Sequence, residues 1–241
     1  MKARPPEVPA FMPGNPQIKL VGGFEELAST PFSNGINALC WPRTLAGNFE
    51  EVAVKLGRGE GIVRLDEDRL LGLILSDNGR AARDVLLADL NLLRDRGLAP
   101  ELNCIYAYPR DDAAAIVPTD VYSFHADSAP VEAATWLCTY HGATSEGLRN
   151  EEAQRRVEVP ATRAQLLAEY GGTDDEGFAE FLREGCYDLH YVPLPGAQPY
   201  SFGQFHLWRI AVDWAGSPVP PCIHRAPSQA PGQPPRLLLI S

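Results

Sequence analysis

The chain lacks paired cysteines. Its five, Cys40, Cys104, Cys138, Cys186 and Cys222, are odd in number, scattered and never spaced as CxxC. That argues against a disulfide framework and for reduced, buried thiols of a cytoplasmic protein. Long apolar runs are missing too. None approaches the roughly 20 residues of a membrane span, and the opening "MKARPPEVPAFMPGNPQ" has no apolar segment of the signal-peptide kind. Positive charge is scarce: 21 Lys and Arg face 31 Asp and Glu, for a net charge of −10. A nucleic-acid or anionic-membrane partner calls for a basic surface, so neither is expected. The expectation is a small-molecule substrate and a monomer or homodimer.

Proline and glycine are plentiful, at 22 and 21 residues, and they punctuate a chain that reads as a single domain over 1–241. Residues 1–17 form a proline-rich arm. Residues 18–100 form a helix-rich flank. In it, "GINALCWPR" (35–43) reads as a strand, and "LAGNFEEVAVKLG" (45–57) as a helix stopped by Gly57. Residues 78–97 carry Val85, Leu86, Leu90 and Leu93 at helical spacing before Gly97. From 101 onward the texture changes. "LNCIYAYP", "DVYSFHAD", "ATWLCTYHG", "CYDLHYVPL", "FHLWRIAVDW" and "PRLLLIS" are short, rich in β-branched and aromatic residues, and separated by Pro/Gly turns. An acidic helical insert near 161–184 interrupts them. The fold class is α+β, mainly β, with a sandwich, barrel or jelly roll as the core.

Within "VYSFHADSAP", His125 and Asp127 stand two apart, so on a strand both point to one face. His224, in "PCIHRAP", supplies a third ligand type. Two imidazoles and one carboxylate form the facial set of non-heme Fe(II) oxygenases, which leaves positions open for cosubstrate and O₂. Arg236 follows His224 by twelve positions, at the start of the next strand. Its guanidinium suits the distal carboxylate of a 2-oxo dicarboxylic acid chelating the metal. Around this set stand candidate substrate or supporting residues: Tyr140 with Thr139, His141, Arg209 and Arg225. Arg225 adjoins His224, and alternation turns it to the opposite face. His190 and His206 are alternatives for the distal ligand but lack a following Arg at strand spacing. Cys138 and Cys222 read as packing residues.

The order HxD…H…R resembles the Fe(II)/2-oxoglutarate-dependent dioxygenase superfamily. That resemblance implies a double-stranded β-helix (jelly-roll, cupin-like) core with helices packed outside, contributed largely by the N-terminal part. It also implies Fe(II), 2-oxoglutarate and O₂ as the reacting set. Blocks from about residue 30 to the end, "INALCWPRTL", "SFHADSAPVEAATWLCTYHGATSEGL" and "CIHRAPSQAPGQPPRLLLIS", are similar to the bacterial family called domain of unknown function 1826, which implies metal binding without a reaction. The chain departs from that family at Ala226, where Ser is usual, and at His141, where Arg is common. Leu238 occupies the Ser position of the Arg-x-Ser clamp of many 2-oxoglutarate enzymes. The expected function is oxidation of a small molecule by an Fe(II)/2-oxoglutarate oxygenase. A 2-oxoglutarate-independent cupin-type metal oxygenase and a non-catalytic zinc or metal-binding protein remain the alternatives.

Overall fold

The computed structural model describes residues 14–111, 114–228 and 233–241. The expected arm therefore falls mostly outside the described residues. Those residues form thirteen strands and six α-helices, in two antiparallel sheets.

The larger sheet runs β1 (Ile18–Leu20), β2 (Ala38–Trp41), β11 (Leu207–Ala211), β6 (Ala134–His141), β13 (Arg236–Ile240), β4 (Glu101–Ile105), β3 (Ile62–Leu65). All its pairs are antiparallel except β1 with β2. The smaller sheet runs β10 (Tyr200–Ser201), β7 (Glu146–Leu148), β12 (Ile223–Arg225), β5 (Phe124–His125), β9 (His190–Pro193), β8 (Ala153–Arg155). The stretches 18–20 and 62–65 inside the helix-rich flank are thus strands. They extend the larger sheet beyond β2 and β4, and too few alternating residues mark them in sequence.

Alternation gives the larger sheet two different faces. Leu39, Leu102, Cys104, Trp136, Cys138, Tyr140, Leu207, Leu237 and Leu239 turn to one side. There they meet α1 (Phe24–Ser29), α2 (Phe49–Lys55), α3 (Glu67–Leu71) and α4 (Asp77–Arg94). On the other side Ile105, Leu137, Trp208, Ile210 and Leu238 meet Tyr200, Phe202 and Cys222 beside the smaller sheet. The helices form where the sequence provides for them. Asn48 and Ser76 cap α2 and α4 by accepting the N–H of Glu51 and Gly79. Ala82, Leu86, Leu90 and Leu93 make the buried stripe of α4. Burial of each such leucine contributes about 1.5–3 kcal/mol. Gly97, at φ 74°, turns the chain back. The acidic insert is two helices, α5 (Pro160–Tyr170) and α6 (Glu176–Glu184), closed on a separate small core of Val117, Val157, Leu166, Phe178 and Leu182.

Two local features set the space between the sheets. A β-bulge in β6 places Thr139 opposite Leu238 but His141 opposite Leu237, so one residue of β6 is extra and the alternation changes phase there. In the smaller sheet, Gly147 lies under the Tyr200 ring, and any Cβ at 147 would meet that ring at 2.2 Å.

Candidate metal centre

Strand pairing in the smaller sheet brings the two predicted histidines together. His224 of β12 sits directly opposite His125 of β5, with ring centroids 4.5 Å apart. Directly opposed residues share a face, and here it is the face toward the larger sheet. Asp127 lies just beyond the end of β5, where the Asp213 N–H donates to its carbonyl at 2.7 Å. His125 Nε2 is 3.8 Å from Asp127 Oδ1, and His224 Nε2 is 3.7 Å from Asp127 Oδ2. The three ligand atoms lie within 4.8 Å of one another.

The surroundings prepare each group for a cation. His125 Nδ1 faces the Ser123 carbonyl at 2.8 Å, and His224 Nδ1 faces the Cys222 carbonyl at 3.3 Å. Placing the proton on Nδ1 leaves both Nε2 lone pairs free. Burial, and then the His224 ring beside it, push His125 down to about 4, so it is a neutral ligand at ordinary pH. Burial pushes the Asp127 carboxyl up, but His224, the Thr135 hydroxyl and His125 outweigh it and hold the group below its usual value. Thr135 Oγ1 donates to Asp127 Oδ2 at 2.5 Å and fixes its orientation. Two ligand atoms about 2.1 Å from one ion and at right angles to each other lie about 3 Å apart. Small side-chain movements therefore close this set on a divalent cation. The mixed imidazole–carboxylate donors suit Fe(II) and its first-row neighbours, and no cysteine belongs to the group.

The triad opens into a cavity of about 210 Å³ between the sheets, walled by Ile105, Val121, Leu137 and Leu238. At its far end is Arg236, only 1% exposed. Its guanidinium donates to the hydroxyls of Tyr108 (2.9 Å), Thr139 (3.0 Å) and Ser145 (2.7 Å). Among the described residues no carboxylate pairs with it, and its Nε has no partner. Burial pulls its pKa down. A buried cation held only by neutral hydroxyls is costly unless an anion completes it. That arrangement is one an anionic group entering the cavity would complete.

The remaining candidates go elsewhere. Tyr140 does not reach the cavity: alternation turns it to the helices, and its hydroxyl donates to Asp89 at 2.5 Å. His141 is carried to the same side by the bulge, which pairs it with the helix-facing Leu237. Arg209 is also on the helix side, donating to the carbonyls of Leu27, Ala28 and Thr30 at the end of α1. It is therefore a helix-terminus anchor rather than a substrate contact. Arg225 points to the outer face, pairing with Glu146 at 2.6 Å and lying over the Phe124 ring at 4.3 Å. Burial pushes the Cys138 and Cys222 thiols up to about 12, leaving them protonated packing groups. Thr135, Tyr108 and Ser145 gave no sign in sequence, because single hydroxyl residues carry no spacing. Comparison of the chain with protein-family models, curated proteins and solved structures finds no match.

Proposed function

We propose that the protein is a non-heme Fe(II)- and 2-oxoglutarate-dependent oxygenase acting on a small molecule. The observation that carries this reading is the pairing, within one cavity, of the His125–Asp127–His224 group with a buried guanidinium that has no carboxylate partner. Strand order supports the matching fold. Within the larger sheet β11-β6-β13-β4 are consecutive, and within the smaller β7-β12-β5-β9. Successive strands from β4 to β7, and again from β11 to β13, alternate between the two sheets, as in a double-stranded β-helix.

In this reading His125, Asp127 and His224 hold the iron. Bound there with 2-oxoglutarate and O₂, it supplies oxidative decarboxylation to succinate and CO₂, with transfer of one oxygen atom to the substrate. The protein positions and shields. Arg236 binds the distal carboxylate of the cosubstrate through a charge-assisted pair. Tyr108, Thr139 and Ser145 hold the guanidinium in place, and Ser145 does the work of the serine that Leu238 replaces. Thr135 keeps Asp127 aimed. The apolar walls limit water around the reacting atoms.

The test is anaerobic titration of metal-free protein with Fe(II) and then 2-oxoglutarate, followed by visible absorption and by bound-iron assay. The expected result is one iron per chain and a weak visible band on adding 2-oxoglutarate. His125→Ala loses both, and Arg236→Gln keeps the iron but loses the band at the same 2-oxoglutarate concentration. Iron binding with no band in the unmodified protein would sink the 2-oxoglutarate part. Absence of iron binding would sink the whole reading.

A further inference from the structure

A second guanidinium lacks a counter-ion among the described residues, and it follows the strand at one edge of the sheet that carries the metal ligands. The smaller sheet carries one row of directly opposed residues: Tyr200, Gly147, His224, His125 and His190. On β8, Ala153 faces Pro193, Gln154 faces Val192 and Arg155 faces Tyr191. Arg156 follows directly, where the strand gives way to a short 3-10 turn (Arg156–Glu158) packed against β9, and its charge acts on His190 at the end of the row.

Arg156 is half-buried, its guanidinium makes no hydrogen bond or ion pair among the described residues, and its Nε is buried without a partner. Burial lowers its pKa. Beside it His190 is 5% exposed, and its Nδ1 is likewise buried without a partner. Arg156 lines a cavity of about 360 Å³ with Arg110, Asp111, Asp120, Tyr122 and Ser123. Arg110 lies over the Tyr122 ring at 3.9 Å and has no carboxylate partner among the described residues. The Ser123 carbonyl is the one that orients His125, so this cavity adjoins the metal centre through a shared wall. Its aspartates are held in place by loop groups rather than by the arginines. Asp111 accepts from Thr119, and Asp120 accepts the N–H groups of Tyr122, Ser123 and Asp111.

We propose that Arg156, helped by Arg110, binds the carboxylate of the substrate, a small carboxylic acid whose chain reaches along the row past His190 toward the metal. Asp111 and Asp120 in the same cavity oppose a dianion, so a carboxylate is favoured over a phosphate ester. The same aspartates can receive an ammonium group, which makes amino acids the first class to try. This assignment rests on the oxygenase reading for the use made of the bound molecule. It also explains why an acidic protein keeps two unpaired guanidiniums beside one site: Arg236 takes the cosubstrate and Arg156 the substrate.

The experiment measures thermal unfolding of the Fe(II)-loaded protein under nitrogen, with 2-oxoglutarate and then with three pooled probes: the L-amino acids, short-chain monocarboxylic acids, and the amides of both. Arg156→Gln, Arg156→Lys and Arg236→Gln are run beside the unmodified chain. The expected result is a rise in Tm with a carboxylate pool and none with the amides. Arg156→Gln weakens that response on the order of 30-fold in half-saturating concentration while keeping the response to 2-oxoglutarate. Arg156→Lys keeps part of it, and Arg236→Gln shows the reverse pattern. The proposal is overturned if no carboxylate pool acts, if Arg156→Gln responds to it like the unmodified chain, or if Arg156→Gln loses 2-oxoglutarate instead. A chain that answers a carboxylate pool through Arg156 but never answers 2-oxoglutarate would retain this site and lose the oxygenase reading.

Discussion

The two faces of the larger sheet each bury an arginine, and they treat it in opposite ways. On the helix side, Arg43 donates to Asp89 at 2.8 Å, to the Phe205 carbonyl at 2.9 Å and to Cys138 Sγ at 3.3 Å. Asp89 in turn accepts from Tyr140. There the buried Arg43 meets its opposite charge in Asp89. On the cavity side, Arg236 has three hydroxyls and no carboxylate. Similar burial with different closure separates a group that holds the fold together from one kept ready for a ligand. A closed pair is a poor source of function, and an open one is a poor source of stability.

The sharpest way to break the comparison is on the closed side. Asp89→Ala leaves Arg43 buried and unpaired and removes the acceptor of Tyr140, so unfolding free energy in urea should fall by about 3–5 kcal/mol. Arg236→Met should do the reverse. Removing an uncompensated cation in favour of an apolar chain of similar length should leave unfolding free energy unchanged within about 1 kcal/mol or raise it. The same variant should weaken 2-oxoglutarate binding, measured calorimetrically, by about 2–5 kcal/mol. If Arg236→Met destabilises as much as Asp89→Ala, the contrast between the faces is wrong.

The smallest effect concerns His190, on the cavity side, whose Nδ1 has no hydrogen-bond partner among the described residues. Burial, and then Arg156, push it down to about 4 from the 6.5 it has in the unfolded chain. Between those values the unfolded chain binds the proton and the folded chain refuses it. This contribution to stability is therefore whole above pH 6.5 and is lost as pH falls toward 4. His190→Leu should make the metal-free protein's stability less steep in pH over that window, by at most about 1.4 kcal/mol per pH unit. An unchanged slope, read from urea midpoints across the window, would show that His190 is charged in the fold.

The site was legible in sequence where chemistry and spacing coincide. His125 and Asp127 stand two apart on a strand end, and His224 precedes Arg236 by one strand. Alternation also sent Arg225 outward, where it meets Glu146. Of the carriers of Arg236 only Thr139 was a candidate in sequence, and its task was not legible. Residues 108, 139 and 145 converge only because β13 lies between β4 and β6 and because β7 of the opposite sheet approaches them. His141 was misleading for a related reason, whereas plain alternation with Cys138 already turned Tyr140 to the helices. Strand periodicity holds only while the pairing is regular, and the bulge in β6 resets it at that point. Arg209 shows a further limit, since its task is to donate to carbonyls at the end of a helix about 180 residues earlier in the chain. Strands β1 and β3 escaped because three or four residues do not establish a period.

The direct opposition of His125 and His224 has a mechanical side. The two lie about a hundred residues apart in the chain, yet they face each other across a single ladder. β5 contributes only two residues and β12 only three to that ladder, so few backbone bonds hold the neighbouring strands in register. A cation shared by the two rings would act as a removable cross-link that closes a long loop. In chain-entropy terms, such a closure is comparable to that of a disulfide spanning the same distance. The reacting centre would then also be a clasp, and chelation would be felt as a loosening of β5 from β12 before any change in the helix-backed sheet behind them.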